Sequence, residues 1–239
     1  MTIASIKKPV ILGIRFFLPV IFLLFLYPST HNYNSLDIVQ DNVNDITSLL
    51  PNEKRDFDFD ENISVLIFLG NKPMSKAIAA LNLKELVYDK FKGFKRFQII
   101  ALVGEDSAAE VALLKKDLYQ YDQLDYWHFV PASALQTKNI FNGLLSVSEL
   151  DDDLSFEEVF IIDKELKQRG RIDDRTENEI KKGSQIYGLY SYNCIEVAEL
   201  KNKMSEDIRI LFTEYRQKRK GIYDSSDRRS EDINADEKN

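Results

Sequence analysis

Residues 63–76 read ISVLIFLGNKPMSK. The run from Ile63 to Leu69 is apolar apart from Ser64, the pattern of a central strand covered on both faces. Gly70 and Pro73 then supply turn chemistry. Met74–Phe91 follows as a helix, with Ala80, Leu83, Val87 and Phe91 at helical spacing and Gly93 as its stop. A strand, a tight turn and a helix start make up the place where α/β domains put their chemistry. The turn carries Asn71, Lys72, Met74, Ser75 and Lys76. None is a nucleophile with a base beside it. Two lysines at a helix start favour an anion, but GNKPMSK lacks the glycine spacing of a phosphate loop. The turn reads as a plain connection, and Met74 as a core or loop methionine rather than a soft metal ligand.

Outward from this stretch the pattern repeats. Arg55–Asp60 (RDFDFD) alternates as a half-buried strand does. Phe97–Val103 is a second apolar strand, and Ser107 with Glu110 forms a capping box ahead of Val111, Leu114 and Leu118. Tyr126–Val130 is a short aromatic strand, and Ala134–Leu145 a helix behind Ser133. Val159–Asp163 is a strand with which Gln168–Asp173 can pair as a hairpin. The order β-β-α-β-α-β-α-β-β predicts a central sheet with helices on both faces. Asp174–Lys203 interrupts the pattern with a second capping box, Thr176 and Glu179. Ser205, Glu206 and Asp207 open a last helix with the stripe Ile208, Leu211 and Tyr215, and Gly221 closes it.

Composition narrows the function. The chain has 239 residues, 44% of them hydrophobic, and a net charge of −7. That balance argues against nucleic acid as a partner, because phosphate contacts need a basic face. A single cysteine, Cys194, excludes an intrachain disulfide and a CxxC site. The two histidines, His31 and His128, are far apart in sequence and make no histidine metal cluster. His128, inside YWHF, reads as a packed histidine. Asp151–Asp153 with Glu157 and Glu158 could hold calcium, but has no ligand periodicity and reads as a solvated acidic loop.

The N-terminus carries its own message. Lys7 and Lys8 precede an apolar stretch, 9–27, broken only by Arg15. The stretch is long enough to span a bilayer. Arg15 lies near its start, where it can snorkel and avoid most of the roughly 2.5–3.5 kcal/mol charged to a helix-centre cation. Pro28, Ser29, Thr30 and His31 make a poor cleavage site. The expected organisation is a cytoplasmic 1–8, a transmembrane anchor (or signal) 9–27, a linker 28–50 whose part 31–50 reads equally as a short edge strand, a folded domain 51–220 and a disordered tail 221–239. Lys7, Lys8 and Arg15 put the N-terminus in the cytoplasm and the domain across the membrane.

The order of these motifs resembles a known family. ISVLIFLGNKPMSKAIAALNLKELVYDKF (63–91) is similar to the strand–turn–helix of the thioredoxin-like Sco proteins, copper chaperones of cytochrome oxidase assembly. FQIIALVGEDSAAEVALLKKDL (97–118), YWHFV (126–130) and SFEEVFIIDKELKQRGRIDD (155–174) resemble its following segments. Peroxiredoxins are a weaker match. The resemblance implies a thioredoxin-like sheet and a periplasmic single-pass protein of the inner membrane. The family's turn carries Cys-x-x-x-C where this chain has GNKPMSKA, and its copper histidine falls where this chain reads LSFEEV, at Ser155 or a neighbour. Copper(I) wants soft ligands and dithiol exchange wants two thiols. The expectation is therefore a retained scaffold with a lost site: no catalytic residue, no metal, no cofactor, no enzyme activity. Within the 174–203 insertion, Tyr187, Tyr190 and Tyr192 are candidates for a surface that binds an unidentified protein partner. Cys194 is a candidate reactive thiol, the basis of an alternative reading as a monothiol redox protein. A third reading is an envelope protein unrelated to respiration.

Overall fold

Ile63–Gly70 forms β2, every residue buried, and it lies at the centre of a seven-stranded sheet. In the computed structural model, residues 13–22, 35–49, 59–119 and 123–221 are described. They fall into two units divided at Asn34 and Ser35. In the first, residues 13–22 form helix α1, with Phe16, Phe17 and Leu18 exposed. Among the described residues no helix is long and apolar enough to cross a membrane. Both ends of the expected 9–27 span, 9–12 and 23–27, lie outside the described residues, as do the alternating 55–58 and the tail beyond Gly221.

The second unit holds the sheet, in the order β1 (Asp37–Gln40), β6 (Gln168–Gly170), β5 (Ser155–Ile162), β2, β3 (Phe97–Gly104), β4 (Trp127–Ala132). β2, β3 and β4 run parallel. β5 is antiparallel to β2, and β6 to β5. Period-two alternation divides the strands between two cores. Ile63, Val65, Ile67 and Leu69 meet one layer of helices, and Leu66 and Phe68 face the other way. The first layer holds α2 (Ala77–Leu83), which passes through a π-turn at Lys84–Tyr88 into α3 (Asp89–Phe91), together with α4 (Ala108–Leu118). α5 (Ala134–Asn142) covers the opposite face behind a Ser133–Gln136 capping box. A short α6 (Glu177–Lys181), β7 (Tyr192–Asn193), a π-turn at Glu199–Met204 and α7 (Ser205–Lys220) complete the chain. α7 joins α2, α3 and α4 in the first layer.

Of the two readings of the segment before residue 50, linker or short edge strand, β1 takes the second: it pairs with β6 at the end of the strand order, and Val43 and Ile46 lie in the second core. Two expectations are corrected. Ser107 makes no capping box, because its hydroxyl donates to the Gly104 carbonyl and Glu110 accepts instead from the Met74 amide. Ser205 does not start α7 as a cap: the helix runs in from the π-turn, and the Ser205 hydroxyl donates to the Leu200 carbonyl.

Candidate functional site

Gly70 ends β2 with φ of +65°, a left-handed value that glycine adopts without cost. The same position has no room for a side chain. A Cβ there would lie 2.3 Å from the Asp153 carbonyl oxygen and 2.6 Å from the Ser155 nitrogen. The turn after β2 and the segment entering β5 are thus pressed together, and the Asn71 amide donates to the Asp153 carbonyl at 2.8 Å. Gly70→Ala is expected to lower the unfolding free energy by about 2–3 kcal/mol, through left-handed strain and overpacking. A urea midpoint equal to wild type would mean that the two backbones can part at no cost.

Pro73–Lys76 then makes a 3-10 turn whose start is satisfied from elsewhere: the Met74 amide donates to Glu110 on α4 at 3.2 Å. The turn delivers Lys76, whose side chain is 12% exposed, across to the acidic loop. Its Nζ lies 2.8 Å from Asp151 Oδ2 and 3.3 Å from Glu157 Oε1. Burial works against the Lys76 charge, but the bonds to the two carboxylates outweigh it and hold the ammonium above its ordinary range. The same bond holds Asp151 below the usual carboxylate range. The Ser155 hydroxyl donates to Asp151 and Asp153. In the sequence these groups lie 75 and 81 positions apart, the lysine in a plain connection and the acids in a solvated loop. Together they form a latch across the mouth of the turn.

The latch is a poor place for copper(I). Asn71, Met74, Ser75, Lys76, Asp151 and Ser155 offer oxygens, one thioether and a cation, and no thiolate or imidazole. Among the described residues no group of three or more His, Cys, Asp and Glu is placed to hold a metal ion. His128 lies in β4, paired in register with Ile100. Cys194 is fully buried in the first core. Its amide donates to the Glu157 carbonyl at 2.9 Å and its carbonyl accepts from Asn82. Burial, with Glu158, Glu199 and Glu157 nearby, pushes the Cys194 thiol far up. That corrects the candidate reactive thiol, since nucleophilic cysteines are partly exposed and held as thiolates.

The three tyrosines of the insertion do not share a surface. Tyr187 is 45% exposed, and its hydroxyl donates to Glu179 at 3.2 Å. Tyr190 is half-buried beside Gly188, where a Cβ would fall 2.4 Å from its ring. Tyr192 is 0% exposed and belongs to the core, a correction to its place among the surface candidates. Its hydroxyl donates to Asp207 at 2.7 Å. Burial pushes Asp207 up, and Arg171 and Tyr192 hold it back. The apolar body of Tyr192 fills the first core, and the buried Asp207 satisfies its hydroxyl. β7 explains the position. It pairs with β5 at Glu158 and Val159, while β6 pairs with β5 at Ile161 and Ile162, so the two short strands share one edge.

Fold and site define a thioredoxin-like domain with a salt-bridged latch at its strand–helix turn. The assignment rests on topology. A parallel strand–helix–strand unit followed by an antiparallel hairpin and a last helix, with hairpin and parallel pair abutting as β6-β5-β2-β3, is the thioredoxin arrangement. No family model and no curated protein matches the chain. Solved structures similar to it include Sco-family cytochrome c oxidase assembly proteins. BsSco has 12% identity, covering 74% of this chain and 97% of its own, with a TM-score of 0.42. Apo Sco1 from Thermus thermophilus has 14% identity, covering 77% and 98%, with a TM-score of 0.42. A putative protein disulfide isomerase from Bacteroides thetaiotaomicron has 13% identity, covering 80% and 100%, with a TM-score of 0.44. At such values these likenesses establish no activity for this chain.

Proposed function

We propose that this chain is a membrane-anchored, non-catalytic thioredoxin-like protein. Its domain stands on the periplasmic side of an inner membrane, where it acts by binding a protein partner, as an accessory factor in respiratory cytochrome oxidase assembly. The observation that carries the non-catalytic reading is the latch: a cation and two carboxylates close the turn where redox and copper chemistry would need thiols. The buried Cys194 weighs against the monothiol alternative. The anchor and its orientation rest on the apolar 9–27 stretch and its flanking cations. The link to oxidase assembly rests on the order of motifs alone. The exposed rim of the insertion, Ile180, Ile186 and Tyr187, is the surface offered to the partner.

The test is metal retention by the full-length protein in neutral detergent. Copper(I) should be stripped completely by a competing chelator, leaving no stoichiometric metal. One equivalent retained against the chelator would overturn the lost-site reading. A pull-down from solubilised membranes separates the remaining readings: recovery of oxidase subunits supports the assembly role, and their consistent absence favours an envelope protein unrelated to respiration.

A further inference from the structure

The side of the domain away from the latch carries a cavity of about 800 Å³, within the size range of small-molecule sites. One wall is a face of α7 bearing Arg209, Phe212, Arg216 and Arg219, spaced so that a helix presents them together. The loop before β3 adds Phe94 and Lys95 to the lining. The two phenylalanines stack, ring centroids 4.4 Å apart and planes inclined by 29°, and Phe94 remains 46% exposed. Lys164 and Lys218 complete the rim over the Tyr215 ring, at 5.4 and 4.8 Å from its centroid.

Charge makes this cavity unusual for its chain. The lining holds six cations against Glu61 and Glu165, in a protein whose net charge is −7. Lys218 is committed to Glu165 and Glu214. Lys95, Arg209, Arg216 and Arg219 have no ion pair with any described residue. Cations at the end of a helix suit its dipole, which accounts for Arg216 and Arg219. It does not account for Arg209, near the start of α7, or for Lys95, from another element. Burial holds Lys164 below its ordinary range; Glu61 opposes it, and Arg96 and Arg219 add to it. Clustered like charges are costly until a counter-ion arrives, and a concave wall focuses their field.

We propose that this cavity binds a phosphate-bearing organic ligand. The guanidinium groups of Arg209, Arg216 and Arg219 match phosphate oxygens in pairs of hydrogen bonds. The Phe94–Phe212 stack receives the ring or apolar part of the same molecule. A soluble nucleotide and an anionic lipid headgroup share this chemistry. The site is separate from the latch and does not depend on the copper question.

Calorimetric titration of the full-length protein in neutral detergent, at low salt, tests the proposal. The probes are ATP and dihexanoylphosphatidylglycerol, with dihexanoylphosphatidylcholine as the uncharged control. One of the two anionic probes should bind, and which one binds identifies the source. Arg209→Ser with Arg216→Ser should weaken that binding at least tenfold. Lys95→Ser with Arg219→Ser, the second variant should the first be misfolded, should do the same. Lys116→Ser with Lys138→Ser removes the same charge from exposed positions outside the cavity and should leave binding within twofold of wild type. Failure of both anionic probes to bind, or equal weakening by the Lys116/Lys138 pair, overturns the proposal.

Discussion

Arg169→Leu should lower the unfolding free energy by about 3–5 kcal/mol, the cost of leaving buried charges without their partner. Arg169 in β6 is 2% exposed. One guanidinium nitrogen lies 2.9 Å from Asp163 Oδ2, and the other donates to Glu214 on α7. Asp163 and Glu214 are 0% and 1% exposed. Each keeps some support in the variant: Asp163 accepts from the Glu165 and Lys167 amides, and Glu214 keeps Lys218. Neither contact replaces the charge that joins the hairpin to the last helix. Urea unfolding measures this. A gap under about 1 kcal/mol at neutral pH would place Arg169 among ordinary surface ion pairs.

Tyr192→Ser should cost a similar amount, about 3–5 kcal/mol, as emptying an aromatic core position does. Its removal opens a void against the first core and withdraws the hydroxyl that donates to the buried Asp207. Tyr187→Ser, at an exposed position of the same insertion, should change stability by no more than about 0.5 kcal/mol. The pair of variants splits the insertion by energy. If both were neutral, β7 would be a decoration on the sheet edge. If both were costly, the rim could not be a free binding surface.

The central strands were legible because they are buried on both faces: β2 and β3 read as apolar runs interrupted only by Ser64 and Gln98. β1 was less so. Its residues DIVQ alternate half-buried and exposed, and its pairing with β6 is a contact between distant parts of the chain. Local signals worked where the helix start supplied its own partner, as at Ser133 with Gln136 and Thr176 with Glu179. They failed at Ser107, because Glu110 is claimed by the Met74 amide across the domain. The latch was invisible for the same reason: Lys76 meets Asp151 and Glu157 only after β5 pairs beside β2. Tyr192 and Cys194 sit in a polar, tyrosine-bearing stretch that looks like a surface loop. A two-residue strand on the β5 edge turns them inward, and so short an element leaves no periodicity to read.

The insertion has a neck. Arg171 and Leu189 exchange both backbone bonds at 2.8 Å, and the Asp174 amide donates to the Tyr187 carbonyl at 2.9 Å. Beyond these rungs the chain mostly looks after itself: Arg175 binds Asp173 and the Ser184 carbonyl, and Thr176 and Glu179 cap each other. Residues 175–186 can therefore lengthen, shorten or change sequence while the residues below the neck keep the sheet edge closed. Evolution can rewrite one side of such a neck without disturbing the other. A lineage could thus exchange the contacts made by this outer loop at little risk to folding.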